Sequence, residues 1–302
     1  MPTLPPPPLP DFLAPLLPFR RAAHVLQAGP DAGRRIHLID HGDPSARPVV
    51  MLHGNPTWSF LWRKVIALLP GFRCVAPDLL GFGFSDRLPR IADHSLDRHG
   101  AAMAEVVEAL DLRGAVLVGQ DWGGPGVAQV GARLPDRIAG LVLANTAITV
   151  PDHPKGTLFH RFARIPGLSD LVFRGFGFPQ NVLSRIQGDK RSIRGDVARA
   201  YRWPLRTWRD RIAPLALARM VPDGPDHPSI PALHRGAEWV LSFRGPAALV
   251  WGMRDPLLGR SLRHLERALP GAPVTRTAAG HFLQEEVPAE LAAAIADAAN
   301  RV

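Results

Sequence analysis

Between residues 34 and 148 the chain alternates short apolar runs with amphipathic stretches. The runs are Ile36 to Ile39, Val49 to His53, Cys74 to Ala76, Ala115 to Gly119 and Leu141 to Ala144. Several are rich in Val and Leu with no polar alternation, the pattern of strands covered on both faces of a parallel sheet. The intervening Trp58 to Leu69, Leu96 to Leu110 and Pro125 to Leu134 have helical spacing, and Asp93 or Ser95 is placed to cap the second. Strand and helix in strict alternation predict an open α/β sheet, mostly parallel and flanked by helices, with right-handed crossovers. The pattern resumes late, with strands at Ala247 to Trp251 and Val274 to Thr277 and helices at Leu262 to Leu269 and Ala289 to Asn300.

Residues 151–228 interrupt the alternation. They are rich in Pro, Arg and aromatics, contain helix-like pieces such as Leu205 to Met220, and show no clear strand. They read as an inserted helical cap on a core domain made of residues 19–150 and 229–302. Residues 1–18 carry Pro5, Pro6, Pro7, Pro8, Pro10 and Pro15 and read as an extended lead along the surface. The cap holds 14 Lys and Arg against 7 Asp, so it carries +7 of the formal net charge of +9. The basic character belongs to one element, and no run of five like charges occurs, so a nucleic-acid partner is not expected.

Cys74 is the single cysteine and lies in an apolar run, so no disulfide is expected. No Lys or Arg precedes the apolar residues of the lead, and no uncharged stretch approaches the roughly 20 residues of a membrane span. The expectation is a soluble, cytoplasmic protein without a signal peptide. The twelve histidines form no H-E-x-x-H or Cys/His cluster, and Gly81-Phe82-Gly83 lacks the third glycine of a dinucleotide fingerprint, so no metal or other cofactor is expected.

In open α/β sheets active sites form beyond the carboxyl ends of the strands. After the strand ending at Val118 stands Gly119-Gln120-Asp121-Trp122-Gly123-Gly124, the frame of a nucleophile elbow with Asp in the place of Ser. After the second run comes His53-Gly54-Asn55-Pro56, where the backbone N–H of Asn55, with that of Trp122, is suited to form an oxyanion hole. Asp255 follows the strand at 247–251, and His281 follows the strand at 274–277. Nucleophile, acid and base thus appear in the order Asp121, Asp255, His281. Asp78 and Ser85-Asp86 read as loop-shaping residues.

With these residues in view, the chain resembles the haloalkane dehalogenases of the α/β-hydrolase superfamily. The likeness runs from about Phe19 to the C-terminus and rests on His53-Gly54-Asn55-Pro56, on Asp78-Leu79-Leu80-Gly81-Phe82-Gly83-Phe84-Ser85-Asp86, on Gln120-Asp121-Trp122-Gly123-Gly124-Pro125, on Asp255 and on Gly280-His281-Phe282. The resemblance implies that Asp121 is the nucleophile, that Trp122 and Asn55 bind the leaving halide, and that His281 is the general base. The family's acid lies either one strand after the nucleophile or later. The first location holds Asn145, which leaves Asp255 to orient His281. This Asp–His–Asp set with an Asn–Trp halide pair is similar to the family's third subgroup, which implies a possible homo-oligomer. Phe173, Phe176, Phe178, Trp203 and Trp208 are candidates to line an apolar cavity for a small halogenated substrate, with cap-to-core packing as the competing account.

Such residues suit displacement of halide from saturated carbon. A carboxylate is charged at neutral pH without a base, and the halide needs N–H donors and no proton. The alkyl ester formed on Asp121 would then be hydrolysed by water activated by His281. Epoxide hydrolases share the Asp elbow but require a pair of tyrosines, and Tyr201 is the only one in the chain. Fluoroacetate dehalogenases place Arg where Trp122 stands. The β-lactone decarboxylases of olefin biosynthesis share the whole residue set and remain open as an alternative, and a non-catalytic hydrolase-like binding protein is a third reading.

Overall fold

A computed structural model describes residues 4–148, 154 and 156–302. Its centre is an eight-stranded sheet: β1 (Arg21–Val25), β2 (Arg35–His41), β3 (Pro48–Leu52), β4 (Arg73–Pro77), β5 (Ala115–Gln120), β6 (Ile138–Ala144), β7 (Ala247–Gly252) and β8 (Val274–Thr277). The spatial order is β1-β2-β4-β3-β5-β6-β7-β8. β2 runs antiparallel to β1 and β4, and all pairings from β4 to β8 are parallel. The expectation of a mostly parallel α/β sheet holds. β3, β5 and β7 are buried at every residue, as strands covered by helices on both faces must be.

The helices are α1 (Arg63–Ile66), α2 (Leu96–Ala109), α3 (Gly123–Arg133), α4 (Leu158–Ala163), α5 (Leu168–Asp170), α6 (Gly195–Arg202), α7 (Ile212–Arg219), α8 (Ile230–Ser242), α9 (Leu262–Ala268), α10 (Leu283–Glu286) and α11 (Pro288–Asn300). Of the two candidate caps for α2, Ser95 is the one used: its hydroxyl accepts from Arg98 N–H at 3.1 Å. Between β6 and β7 the described residues form helices and turns only, α4 to α8.

Two local readings differ from the structure, and one strand was not read: β1 carries no long apolar run, and Arg21-Ala22-Ala23-His24-Val25 is a short edge strand whose place depends on pairing with β2. The expected helix over Trp58 to Leu69 is a 3-10 turn, Ser59–Trp62, followed by the single turn α1. Trp58, Phe60, Leu61 and Trp62 are all buried, four apolar side chains within five positions, so they pack on several sides and not along one helical stripe. The helix expected from Leu205 to Met220 starts only at Ile212. Upstream, Asp210 Oδ2 accepts from both N–H and hydroxyl of Thr207, at 2.9 and 2.8 Å, a local turn that competes with helix.

The lead is extended at its start, where Leu4 and Ala23 exchange two backbone hydrogen bonds. It then makes a 3-10 turn at Ala14–Leu16 that buries Leu13 and Leu17 in the main core. Arginines of the helical segment are engaged structurally: Arg164 pairs with Asp223, Arg174 and Arg219 with Asp170, and Arg199 lies over Phe12.

Candidate active site

Parallel order from β3 to β8 brings the carboxyl ends of five strands to one rim. Asp121 follows β5 with φ of 51°, a left-handed conformation that strains an ordinary side chain by about 1–2 kcal/mol. The turn persists because its flanks admit only glycine. A Cβ at Gly123 would lie 1.9 Å from the Leu52 carbonyl oxygen, and one at Gly124 2.0 Å from Thr146 Oγ1. Asp121 N–H donates to Asn145 O at 3.0 Å, and Thr146 Oγ1 donates to Asp121 O at 2.6 Å. The strain thereby lifts the carboxylate clear of the strand.

Asp121 Oδ1 accepts from the backbone N–H of Asn55 at 2.7 Å, and Oδ2 lies 3.7 Å from His281 Nε2. Burial pushes the Asp121 carboxyl above its ordinary value. His281 and the backbone N–H groups of Trp122 and Asn55 oppose that shift in part. On its other side His281 Nδ1 is 2.9 Å from Asp255 Oδ2, whose second oxygen accepts from Leu257 N–H at 2.8 Å. Burial alone would push the His281 imidazolium down. The charge and hydrogen bond of Asp255, with the charge of Asp121, outweigh it and hold His281 above the ordinary imidazole value.

Asn55 also spans to the helical segment, where its Nδ2 donates to Pro214 O of α7 at 3.0 Å. One amide hydrogen is thus engaged and the other is free to face a ligand. Trp122 is half-buried against the core at the start of α3. Asp121, Asn55, Trp122, Asp255 and His281 are therefore brought together around one carboxylate.

The aromatic candidates are placed differently. Phe173 and Phe178 pack with Phe159 in a small cluster of their own, with Phe173–Phe178 centroids 5.4 Å apart. Phe176 is 69% exposed, and Trp208 is 45% exposed with Arg174 over its ring. Trp203 packs on Phe12 of the lead and under Arg206, and it lines a surface groove of about 510 Å³ with Leu4, Pro5 and Pro7. Phe173 and Phe178 thus pack within the helical segment and Trp203 against the lead, while Phe176 and Trp208 are exposed.

Two residues escaped the reading of the sequence. Asn145 is buried with φ of 33°; its Nδ2 donates to Gly280 O at 2.9 Å, and its Oδ1 accepts from Gly252 N–H at 2.8 Å. At the location of an acid in other members of the resembled family, it ties together the ends of β6 and β7 and the His281 loop. Gln120 is buried beside it and donates to His281 O at 3.1 Å. The available signal was a polar residue terminating a wholly apolar run. Asp78, read as loop-shaping, is fully buried and accepts from Ser59 and Phe84 N–H and pairs with His37. Among the described residues no group of three or more His, Cys, Asp or Glu is placed to hold a metal ion, and no helix is long and apolar enough to cross a membrane.

The sheet, the crossover helices and the strained residue after β5 define an α/β hydrolase, and residues 47–288 match the family described as alpha/beta hydrolase fold. A haloalkane dehalogenase of Mycobacterium marinum is 36% identical over 267 residues, covering 85% of this chain and 86% of that protein. Haloalkane dehalogenase 2 of Mycobacterium bovis is 35% identical over 277 residues, covering 86% and 90%. A tetrameric haloalkane dehalogenase structure from Paraglaciecola agarilytica NO2 superimposes with a TM-score of 0.80 at 26% identity, covering 95% of this chain and 94% of that one. The chain belongs to the haloalkane dehalogenase family.

Proposed function

We propose that the protein hydrolyses haloalkanes to an alcohol, a halide ion and a proton through an ester on Asp121. The observation that carries the reading is one buried imidazole held between two carboxylates, 2.9 Å from Asp255 and 3.7 Å from Asp121 at the elbow. In the first step an Asp121 oxygen attacks the carbon bearing the halogen, and the carbon–halogen bonding pair leaves with the halide. The free Asn55 amide hydrogen and the Trp122 indole N–H receive that charge. In the second step water attacks the ester carbonyl carbon while His281 takes its proton; the intermediate then collapses, the bond from that carbon to the alkyl oxygen breaks, the alcohol leaves with the imidazolium's proton, and the Asp121 carboxyl releases the net proton to become a carboxylate again. Asp255 holds the tautomer with Nε2 free and stabilises the imidazolium, and the backbone N–H groups of Asn55 and Trp122 receive the oxyanion.

This assignment is that of an Asp–His–Asp subgroup with Asn and Trp as halide ligands. We further assign residues 151–228 as a cap over a core of 19–150 and 229–302; the Asn55–Pro214 hydrogen bond supports it. The relatives are haloalkane dehalogenases, so β-lactone decarboxylation is not favoured. The tetrameric neighbour makes self-association the proposed assembly, tested by light scattering. For activity, the enzyme is incubated with 1-bromobutane or 1,2-dibromoethane and bromide and acid release are followed. The reading expects release by the wild type, none by Asp121→Ala, and an alkyl adduct on Asp121 in His281→Gln by intact mass. Release by Asp121→Ala equal to wild type, or none by wild type, overturns it.

A further inference from the structure

His281 stands on a loop after β8, the last strand of the sheet and one with no fully buried residue. An edge strand gives poor support to a side chain that must be aimed within a fraction of an ångström. The core holds one side of the loop through Gln120 and Asn145, both directed at backbone carbonyls of Gly280 and His281. The other side is held by residues 186–189, which belong to the helical segment between β6 and β7.

There, His281 N–H donates to Ile186 O at 3.0 Å. Gln187, only 6% exposed, takes both backbone groups of the next residue: its Oε1 accepts from Phe282 N–H at 2.8 Å, and its Nε2 donates to Phe282 O at 3.1 Å. A single side chain thus does the work of a pairing strand. Glu286 closes the arrangement, with Oε1 accepting from Gly188 and Gly280 N–H, both at 3.0 Å, and Oε2 from Asp189 N–H at 2.6 Å. The approach leaves no room for side chains: a Cβ at Gly280 would sit 2.4 Å from Ile186 O and 2.5 Å from Gly188 N.

We propose that Gln187 is a positioning residue for His281, so that the 186–189 segment governs ester hydrolysis and not ester formation. The inference rests on the two-step dehalogenase reading. Its selectivity follows from the contacts. Asp121 is held by the elbow, Asn55 N–H and Thr146, none of which touches Gln187, and halide displacement needs no base. Only the second step uses the imidazole.

Gln187→Met keeps the length of the side chain and removes both bonds to Phe282. Rapid-quench bromide release from 1,2-dibromoethane, with intact mass of the protein, reads the two steps separately. Alkylation is expected to stay within about 2-fold of wild type while ester hydrolysis slows about 10- to 100-fold, so the adduct accumulates. Ser192→Ala, which removes only the Ser192 Oγ partner of Gln187 Nε2, is expected to leave the ratio of the steps unchanged. Should Gln187→Met not fold, Gly188→Ala reads the same effect, because its Cβ would meet Ala278 O at 2.6 Å and force 188 away from the loop. Equal slowing of both steps, or unchanged hydrolysis in a folded variant, overturns the inference. Absence of any bromide release by the wild type instead overturns the dehalogenase reading.

Discussion

The Asp255 carboxylate meets Nδ1 of His281 at 2.9 Å with both side chains shut away from solvent. A charge in that position holds the imidazole's tautomer and favours the imidazolium. Asp255→Asn retains the volume and removes the charge. It is expected to slow ester hydrolysis by about three orders of magnitude while leaving the alkylation burst intact, as single-turnover measurements would show. Equal loss in the burst would argue against the assignment.

The pH dependence has a definite sign. His281 must be neutral to act as base, so hydrolysis falls as pH drops through its pKa. Asp255 and Asp121 both raise that value in the free enzyme. Once Asp121 is an ester its charge is gone, and the acid limb of ester hydrolysis is expected at lower pH than the titration of His281 in the free enzyme. NMR titration of the free enzyme and single-turnover hydrolysis over pH compare the two; the reverse order contradicts the charge relationship.

A second histidine pair bears on stability. His99 is buried with Nε2 3.1 Å from His94 Nδ1, and burial lowers it to about 4. The unfolded state, with a pKa near 6.5, binds the proton first as pH falls, so stability declines from about pH 6.5 toward 4. Between pH 7 and 5 this one group removes about 2 kcal/mol. Urea unfolding of His99→Gln is expected to show a smaller difference between those pH values than the wild type.

The elbow's glycines differ sharply from those on the surface. Gly123→Ala places a methyl 1.9 Å from a backbone oxygen, whereas Gly71→Ala meets nothing within 4 Å. The first is expected to destabilise by about 3 kcal/mol or more and the second to stay within about 0.5 kcal/mol. Thermal unfolding of the two variants checks the contrast.

Tyr201, the chain's only tyrosine, donates to Glu285 Oε1 at 2.5 Å, and Arg63 grips the same carboxylate through two bonds at 2.5 and 2.8 Å. Burial drives its phenol far above the ordinary range. Tyr201→Phe is expected to lose about 1–2 kcal/mol, since Arg63 remains. Arg63→Met, which leaves the buried Glu285 carboxylate to Tyr201 and to the Lys64 ammonium 3.1 Å from Oε2, is expected to lose about 3 kcal/mol or more. Denaturant titrations that rank the two in the opposite order would refute this hierarchy.

The strands from β2 to β7 were legible because each carries a short apolar run whose neighbours are amphipathic, and that periodicity is written locally. Asp121 and Asp255 were legible for the same reason, each within a few residues of such a run, and His281 by its place after the last strand. β1 was not, because Arg21 to Val25 has neither length nor pattern and is a strand only by pairing with β2. The Trp58 segment was misread because its apolar spacing imitates a helical stripe, whereas Trp58, Phe60, Leu61 and Trp62 are all taken into the core around a 3-10 turn.

The sequence by itself therefore determined the class of sheet, the order in which Asp121, Asp255 and His281 follow its strands, and the absence of a second phenol. Tertiary structure alone decided that Asn145 ties the ends of β6 and β7 to the His281 loop, that Phe173 and Phe178 pack together while Trp203 packs on the lead, and that Gln187 holds the backbone beside His281. The physical reason is separation along the chain. Strand and turn chemistry depends on residues a few positions apart, whereas the Gln187–Phe282 and Asn145–Gly280 contacts join residues 95 and 135 positions apart, and sheet order and insert packing bring them together.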